Sequence, residues 1–108
     1  MSSINAIALS GMRAAERRLE VAASNIANVR SGLPSGAPDE VVAAFNALRA
    51  DQVETGGGTA VNVSRTRAPV DLANEMVQMM SAKHAFAANA KLARIAGDMQ
   101  KTLLDIKA

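Results

Sequence analysis

Two long stretches of the chain repeat their apolar residues with helical spacing, and a short polar and glycine-rich segment separates them. From Ile4 to Val29 there is no proline and a single glycine, and Ala8, Met12, Ala15, Leu19, Ala22, Ile26 and Val29 recur in alternating steps of three and four. That is a heptad seam, which predicts a helix with a left-handed coiled-coil partner, capped by Ser2 or Ser3. The charged Arg13, Glu16, Arg17 and Glu20 lie mostly off the seam. From Asp71 to Lys107 a second stretch has no proline and one glycine. Its apolar residues fall at Leu72, Met76, Met79, Phe86, Ala90 and Ala93, then at Ile95, Met99, Leu103 and Ile106. This predicts one amphipathic helix on the order of 55 Å long, more than a chain of this size needs to enclose a core.

Between the helices the pattern changes twice. Residues 30–38 read Arg-Ser-Gly-Leu-Pro-Ser-Gly-Ala-Pro, which cannot continue a helix and predicts a loop. Asp39 to Ala50 is ambiguous: Val41, Ala44, Phe45 and Leu48 fit helical spacing, while Val42 to Leu48 also fits a strand, and the reading leans to strand or irregular structure. Gln52–Thr55 and Thr59–Ser64 flank Gly56, Gly57 and Gly58, with Val61 and Val63 alternating with polar neighbours. These predict a β-hairpin whose glycines supply positive φ at the turn. Two strands alone are marginal, so the hairpin must pack on the helices or on another subunit. The expected fold is mainly α: two long antiparallel helices forming a coiled-coil hairpin with a short β insert. As one domain it divides into an N-terminal helix (1–30), a loop and β insert (31–69) and a C-terminal helix (70–108). The second helix outruns the first, so part of its apolar stripe is left for assembly.

Composition narrows the picture. Hydrophobic residues make up 49% of the 108, yet only Phe45 and Phe86 are aromatic, so alanine and small aliphatics carry the fraction, as closely packed helices require. Twelve basic against ten acidic residues give a net charge of +2, spread without a block of either sign. No basic stripe with groove-reading elements is present to support nucleic-acid binding. There is no cysteine, which excludes disulfides and thiolate metal sites. The apolar stretch Ile4–Leu9 is too short for a cleavable signal peptide, and no segment has the roughly 18 apolar residues of a membrane span.

Candidate chemistry adds little. His84 is the lone histidine, with Met80 and Ala88 four residues to either side, and reads as solvated or interfacial and not as a base or ligand. Asp71 and Glu75 are four apart, a spacing better explained by the helix dipole than by a divalent cation. Gly56–Gly58 lacks the lysine and following helix of a phosphate cradle. No nucleophile, base and acid share a usable spacing, so neither enzyme activity, a cofactor nor a small-molecule substrate is expected. Three features are left over. Gly11 interrupts a helix at a cost of about 1 kcal/mol, which a close helix approach would explain. Met12, Met76, Met79, Met80 and Met99 lie on or beside the stripes and either fill a core or fit several non-identical neighbours. Asn25 and Asn28 either end the first helix or bond across an interface.

The two ends resemble a known family. Residues 8–29, Ala-Leu-Ser-Gly-Met-Arg-Ala-Ala-Glu-Arg-Arg-Leu-Glu-Val-Ala-Ala-Ser-Asn-Ile-Ala-Asn-Val, are similar to the N-terminal motif of bacterial flagellar axial proteins, above all the basal-body rod proteins. Residues 70–80, Val-Asp-Leu-Ala-Asn-Glu-Met-Val-Gln-Met-Met, with Ala85-Phe86-Ala87-Ala88-Asn89-Ala90-Lys91, resemble that family's C-terminal motif. The chain departs in two places: Arg30-Ser31-Gly32-Leu33 follows Val29 where relatives continue Asn-Thr-x-Gly-Tyr, and Phe86 stands where tyrosine is common. The short middle is nearest to the small proximal rod proteins. The resemblance implies a structural subunit of the flagellar rod in the periplasm. It implies export by the flagellar type III apparatus without a cleaved signal, and helical stacking with itself and other rod proteins through the terminal helices for motility. The residues expected at the assembly interface are Gly11, Met12, Leu19, Asn25, Ile26, Asn28, Met76, Met79, Phe86 and Asn89, with Met12, Leu19 and Ile26 facing Met76, Met79 and Phe86. The shortened middle and the altered stretch after Asn28 also fit a soluble helical adaptor or export-regulating protein with rod-like ends.

Overall fold

A computed structural model describes residues 2–28, 36 and 38–107, with the side chains of Ser2, Ser3 and Lys107 left aside. The elements run α1 (Ser2–Ala27), α2 (Asp39–Ala44), β1 (Asn46–Thr55), β2 (Gly58–Pro69) and α3 (Leu72–Lys107). The molecule is a rod of 72 × 24 × 14 Å. The architecture is mainly α, with two long antiparallel helices flanking a short antiparallel hairpin, as the periodicity predicts.

α1 is the central element, with α3 against one side and the β-hairpin against another. Its register with α3 follows from two contacts. Gly11 lies against Asn89, and the Arg18 guanidinium donates to the Ser81 hydroxyl at 3.0 Å. Residue numbers rise along one helix as they fall along the other, and the start of α1 comes level with about Asp98. Exposure changes at that point, from Ala96 at 2% to Met99 at 51%. The last two and a half turns of α3 therefore project beyond α1.

The core is made almost wholly of alanine: Ala8, Ala14, Ala15, Ala22, Ala82 and Ala96, with Val21 as the one larger apolar residue. Ala8, Ala15 and Ala22 are the seven-residue repeat of the predicted seam. Its larger half does not close within the chain: Met12 and Ile26 are half-buried and Leu19 is exposed. The expected coiled-coil pairing of Met12, Leu19 and Ile26 with Met76, Met79 and Phe86 is thus not a closed seam. Small residues let the helix backbones approach closely, and larger side chains on the seam's flank are then held out of the contact.

Gly11 lies within that close approach. A Cβ there would lie 2.6 Å from Asn89 Oδ1, inside van der Waals contact, so the helix interior keeps a glycine despite its poor propensity.

The hairpin is longer than expected, and three local readings are corrected. Residues 39–50 are neither strand nor irregular throughout. Asp39–Ala44 forms a short helix behind Pro38, with Asp39 and Glu40 favourable in its first turn, and β1 begins at Asn46. The turn glycines do not use positive φ. Among the described residues only Gly36 does, and the tip closes with the Gly57 N–H donating to the Thr55 carbonyl at 2.6 Å. α1 starts at Ser2, so Ser2 and Ser3 are helical residues and not caps preceding Ile4. Val29 and most of the predicted loop, residues 30–35 and 37, lie outside the described residues.

α3 begins as predicted: Asp71 Oδ1 accepts from the Asn74 N–H at 3.2 Å, an N-cap contact, and Glu75 follows in the first turn.

Candidate assembly interface

The sequence-predicted interface residues fall into two groups with different surroundings. Gly11, Asn25 and Asn89 are engaged inside the chain. Asn25 is 2% exposed and clamps the hairpin: its Nδ2 donates to the Leu48 carbonyl at 2.8 Å, and its Oδ1 accepts from the Leu48 N–H at 2.7 Å. A carboxamide presents one donor and one acceptor side by side, and so satisfies both backbone groups of one strand residue on the side away from β2. Leu48 adjoins the register shift of the hairpin, where pairing jumps from Leu48↔Arg65 to Asn46↔Pro69. Arg65 and Thr66 bind that irregularity, donating to the carbonyls of Ala44 and Asn46 and of Ala47. Of the two readings of Asn25, helix end or bond across an interface, the structure shows a bond across an interface that is internal. Asn89 Nδ2 donates to the Ala85 carbonyl at 2.9 Å, which holds its amide beside Gly11.

The rest of that set faces outward in whole or in part. Leu19 and Phe86 are both 38% exposed and Met76 is 56% exposed, while Met12, Ile26 and Met79 are half-buried. Asn28 is exposed at the end of α1, its backbone N–H bonded to the Ser24 carbonyl. His84 is exposed, and no cluster of metal-ligating residues occurs among the described residues.

The structure adds residues that sequence reasoning missed. Ser10 joins α1 to the hairpin: its Oγ donates to the Ile7 carbonyl at 2.8 Å and accepts from the Thr59 N–H at 3.2 Å. It lies so close to Gly58 that any Cβ there would collide with it. Thr59 Oγ1 is buried beside it without a partner. Nothing in the sequence links position 10 to positions 58 and 59, which only the packing brings together.

At the junction of α1, the hairpin base and the start of α3 lies a groove of about 490 Å³. Arg18 and Ala22, Leu48, and Asp71 and Gln78 form its walls, with Glu75 among them. Arg49 on its rim is paired with Asp51 at 2.7 Å. Glu75 is 6% exposed as a residue and lines the groove from the first turn of α3. At the other end of α3 Leu103, Leu104 and Ile106 are 55%, 69% and 77% exposed.

With this geometry the comparison with known families is direct. Residues 67–106 match the family described as Flagellar basal body rod FlgEFG protein C-terminal, and residues 6–29 match the family described as Flagella basal body rod protein. The two matches coincide with α3 and α1 and together span more than half of the chain. The chain belongs to the flagellar basal-body rod proteins. No curated protein matches it. Families of this kind are structural, located at the flagellar basal body and assembled with other rod proteins, and no described helix is long and apolar enough to cross a membrane.

Proposed function

We propose that the chain is a structural subunit of the rod that assembles helically, through its terminal helices, with copies of itself and with other rod proteins, and so serves flagellum-dependent motility. It reaches the periplasmic rod through the flagellar export apparatus without a cleaved signal peptide. The supporting observation is an inversion of the usual burial pattern. The buried apolar residues are alanines and one valine, while Met76, Met80, Met99, Leu103, Leu104 and Ile106 are all more than half exposed. Exposed apolar patches of this kind mark interaction surfaces. They run along α3 and past the start of α1 in a rod-shaped chain, as a contact that propagates, and does not close, requires. The interface residues are Met12, Leu19, Ile26, Met76, Met79 and Phe86, with Asn28 at the end of α1; Gly11, Asn25 and Asn89 act from within by fixing the helix pair and the hairpin.

Electron microscopy of basal bodies from a deletion strain tests this reading. Truncated or absent rods and lost motility are expected, whereas intact rods and normal swimming would sink it. Fractionation separates the subunit from an adaptor or export regulator, which would stay in the cytoplasm and not copurify with basal bodies.

A further inference from the structure

α3 holds a single glycine, and unlike the one in α1 it has no packing reason inside the fold. Gly11 is kept by the Asn89 amide, which a Cβ would strike, and Gly58 is kept by Ser10 in the same way. At Gly97 a Cβ would meet nothing within 4 Å, and the backbone there has no positive φ. Alanine would therefore fit and would make the better helix, because a glycine in a helix interior has more conformational freedom to lose and leaves the backbone easier to bend. The position is informative. Ala96 is 2% exposed and Met99 is 51% exposed, and the start of α1 lies level with the same turn. Further along, the Thr102 hydroxyl donates to the Asp98 carbonyl at 3.0 Å, a bond back along the helix of the kind that weakens and bends it. Two features that soften a helix thus fall together just beyond the point where α3 loses its support.

We infer that Gly97 is a hinge and that residues 98–107 form an arm that pivots on it relative to the α1–α3 body. Sharp bends in helices trace to identifiable residues, glycine among them, and hinge residues absorb the change in backbone angles at the end of a rigid element. The body is tied across its two helices, with Asn89 packed on Gly11 and Arg18 bonded to Ser81. The arm has no such tie among the described residues, and its Met99, Leu103, Leu104 and Ile106 are all more than half exposed. A pivot lets the direction of the arm be set separately from the α1–α3 contact, so that one sequence can meet neighbouring surfaces that are not identical. That use of the hinge rests on the proposed assembly, whereas the hinge itself is a property of the free chain.

The absence of cysteine makes site-directed spin labelling direct. The full chain is labelled at Val77→Cys with Lys91→Cys, a pair within the body, or at Lys91→Cys with Asp105→Cys, a pair that straddles Gly97. These positions are all exposed, and each pair is separated by about 21 Å along an unbroken helix. Distances are read by pulsed electron resonance with labelled chain diluted into unlabelled chain. The distribution across Gly97 is expected to be roughly twice as wide as the one within the body, and Gly97→Ala should narrow it to the width of the body. Gly97→Ala has room for its methyl group and keeps the fold, which circular dichroism checks. Equal widths in the two pairs would overturn the hinge. So would a wide distribution that Gly97→Ala leaves unchanged, which is the result that fraying of the helix end gives. In cells, Gly97→Ala should lower incorporation into basal bodies severalfold, and undiminished incorporation would overturn the role of the hinge in assembly. If the unaltered protein is itself absent from basal bodies, the subunit reading fails, and the distance distributions still decide the hinge.

Discussion

Along the inner face of α1 the chain buries its smallest apolar side chains, with Ala8, Ala15 and Ala22 at 0%, 2% and 1% exposure. Along α3 past Asp98 it displays some of its largest, with Met99 and Leu103 slightly over half exposed and Ile106 at 77%. Both regions carry helical apolar stripes, so periodicity does not distinguish them. What differs is the partner. α1 is enclosed by α3 and by a hairpin fixed to it through Asn25 and Ser10, and the closeness of that contact excludes bulk. The projecting part of α3 has no partner among the described residues, and its side chains have the size of an interface core. An alanine contact also stabilises little per residue, because each alanine removes little apolar area from water. Polar clamps such as Asn25 on Leu48 then matter more than hydrophobic mass in holding this monomer together.

The comparison can be broken most severely at Asn25. Asn25→Ala leaves the Leu48 N–H and carbonyl without partners in a half-buried place, and the expected loss is about 2–6 kcal/mol, from about 1–3 for each orphaned group. Denaturant titration of the full chain measures it, and no change would show that the clamp is dispensable. Next in size is Ala15→Leu, which forces a large side chain into a buried position one turn from Gly11 and should cost about 1–3 kcal/mol. An unchanged midpoint would mean that the helices part easily and that the alanine face is not tight.

A finer test couples Gly11 and Asn89. Gly11→Ala gains about 1 kcal/mol of helix propensity but drives the new Cβ into the Asn89 amide, which must give up its bond to the Ala85 carbonyl. In wild type the two effects should nearly cancel, whereas in an Asn89→Ala background Gly11→Ala should stabilise by about 0.5–1 kcal/mol. Equal effects in both backgrounds would remove the steric account of Gly11. The smallest stability change is expected on the exposed side of the comparison. Leu103→Ser with Leu104→Ser should move monomer stability by no more than about 0.5 kcal/mol, as for surface sites, while abolishing incorporation into rods. A large loss of monomer stability would instead place those leucines in the protein's own core.

Much of this was legible beforehand, though unevenly. The helices, the N-cap Asp71 and the alternation of Val61 and Val63 follow from local rules that a sequence states openly. Residues 39–50 were ambiguous for a physical reason: Asp39–Ala44 has helical spacing and an acidic first turn, while residues 46–50, Asn-Ala-Leu-Arg-Ala, have no strand composition of their own and become β1 by pairing with β2. Either single assignment fails because the boundary falls inside the stretch. Turn chemistry misled at Gly56 and Gly57, where the tip closes without positive φ. At Gly58 the glycine answers to Ser10, 48 positions away, and not to the turn.

By itself, the sequence determined that there are two long helices, that one outruns the other, that small residues dominate the chain, and which family the two ends resemble. Periodicity, propensity and capping act over a few residues and survive any packing. Tertiary structure alone decided which half of the α1 seam is buried, because seven-residue spacing marks Ala15 and Leu19 equally and only the distance of closest approach separates them. It also decided that Asn25 turns inward to Leu48 and that Ser10 meets Gly58 and Thr59, since both depend on what lies across the chain from them.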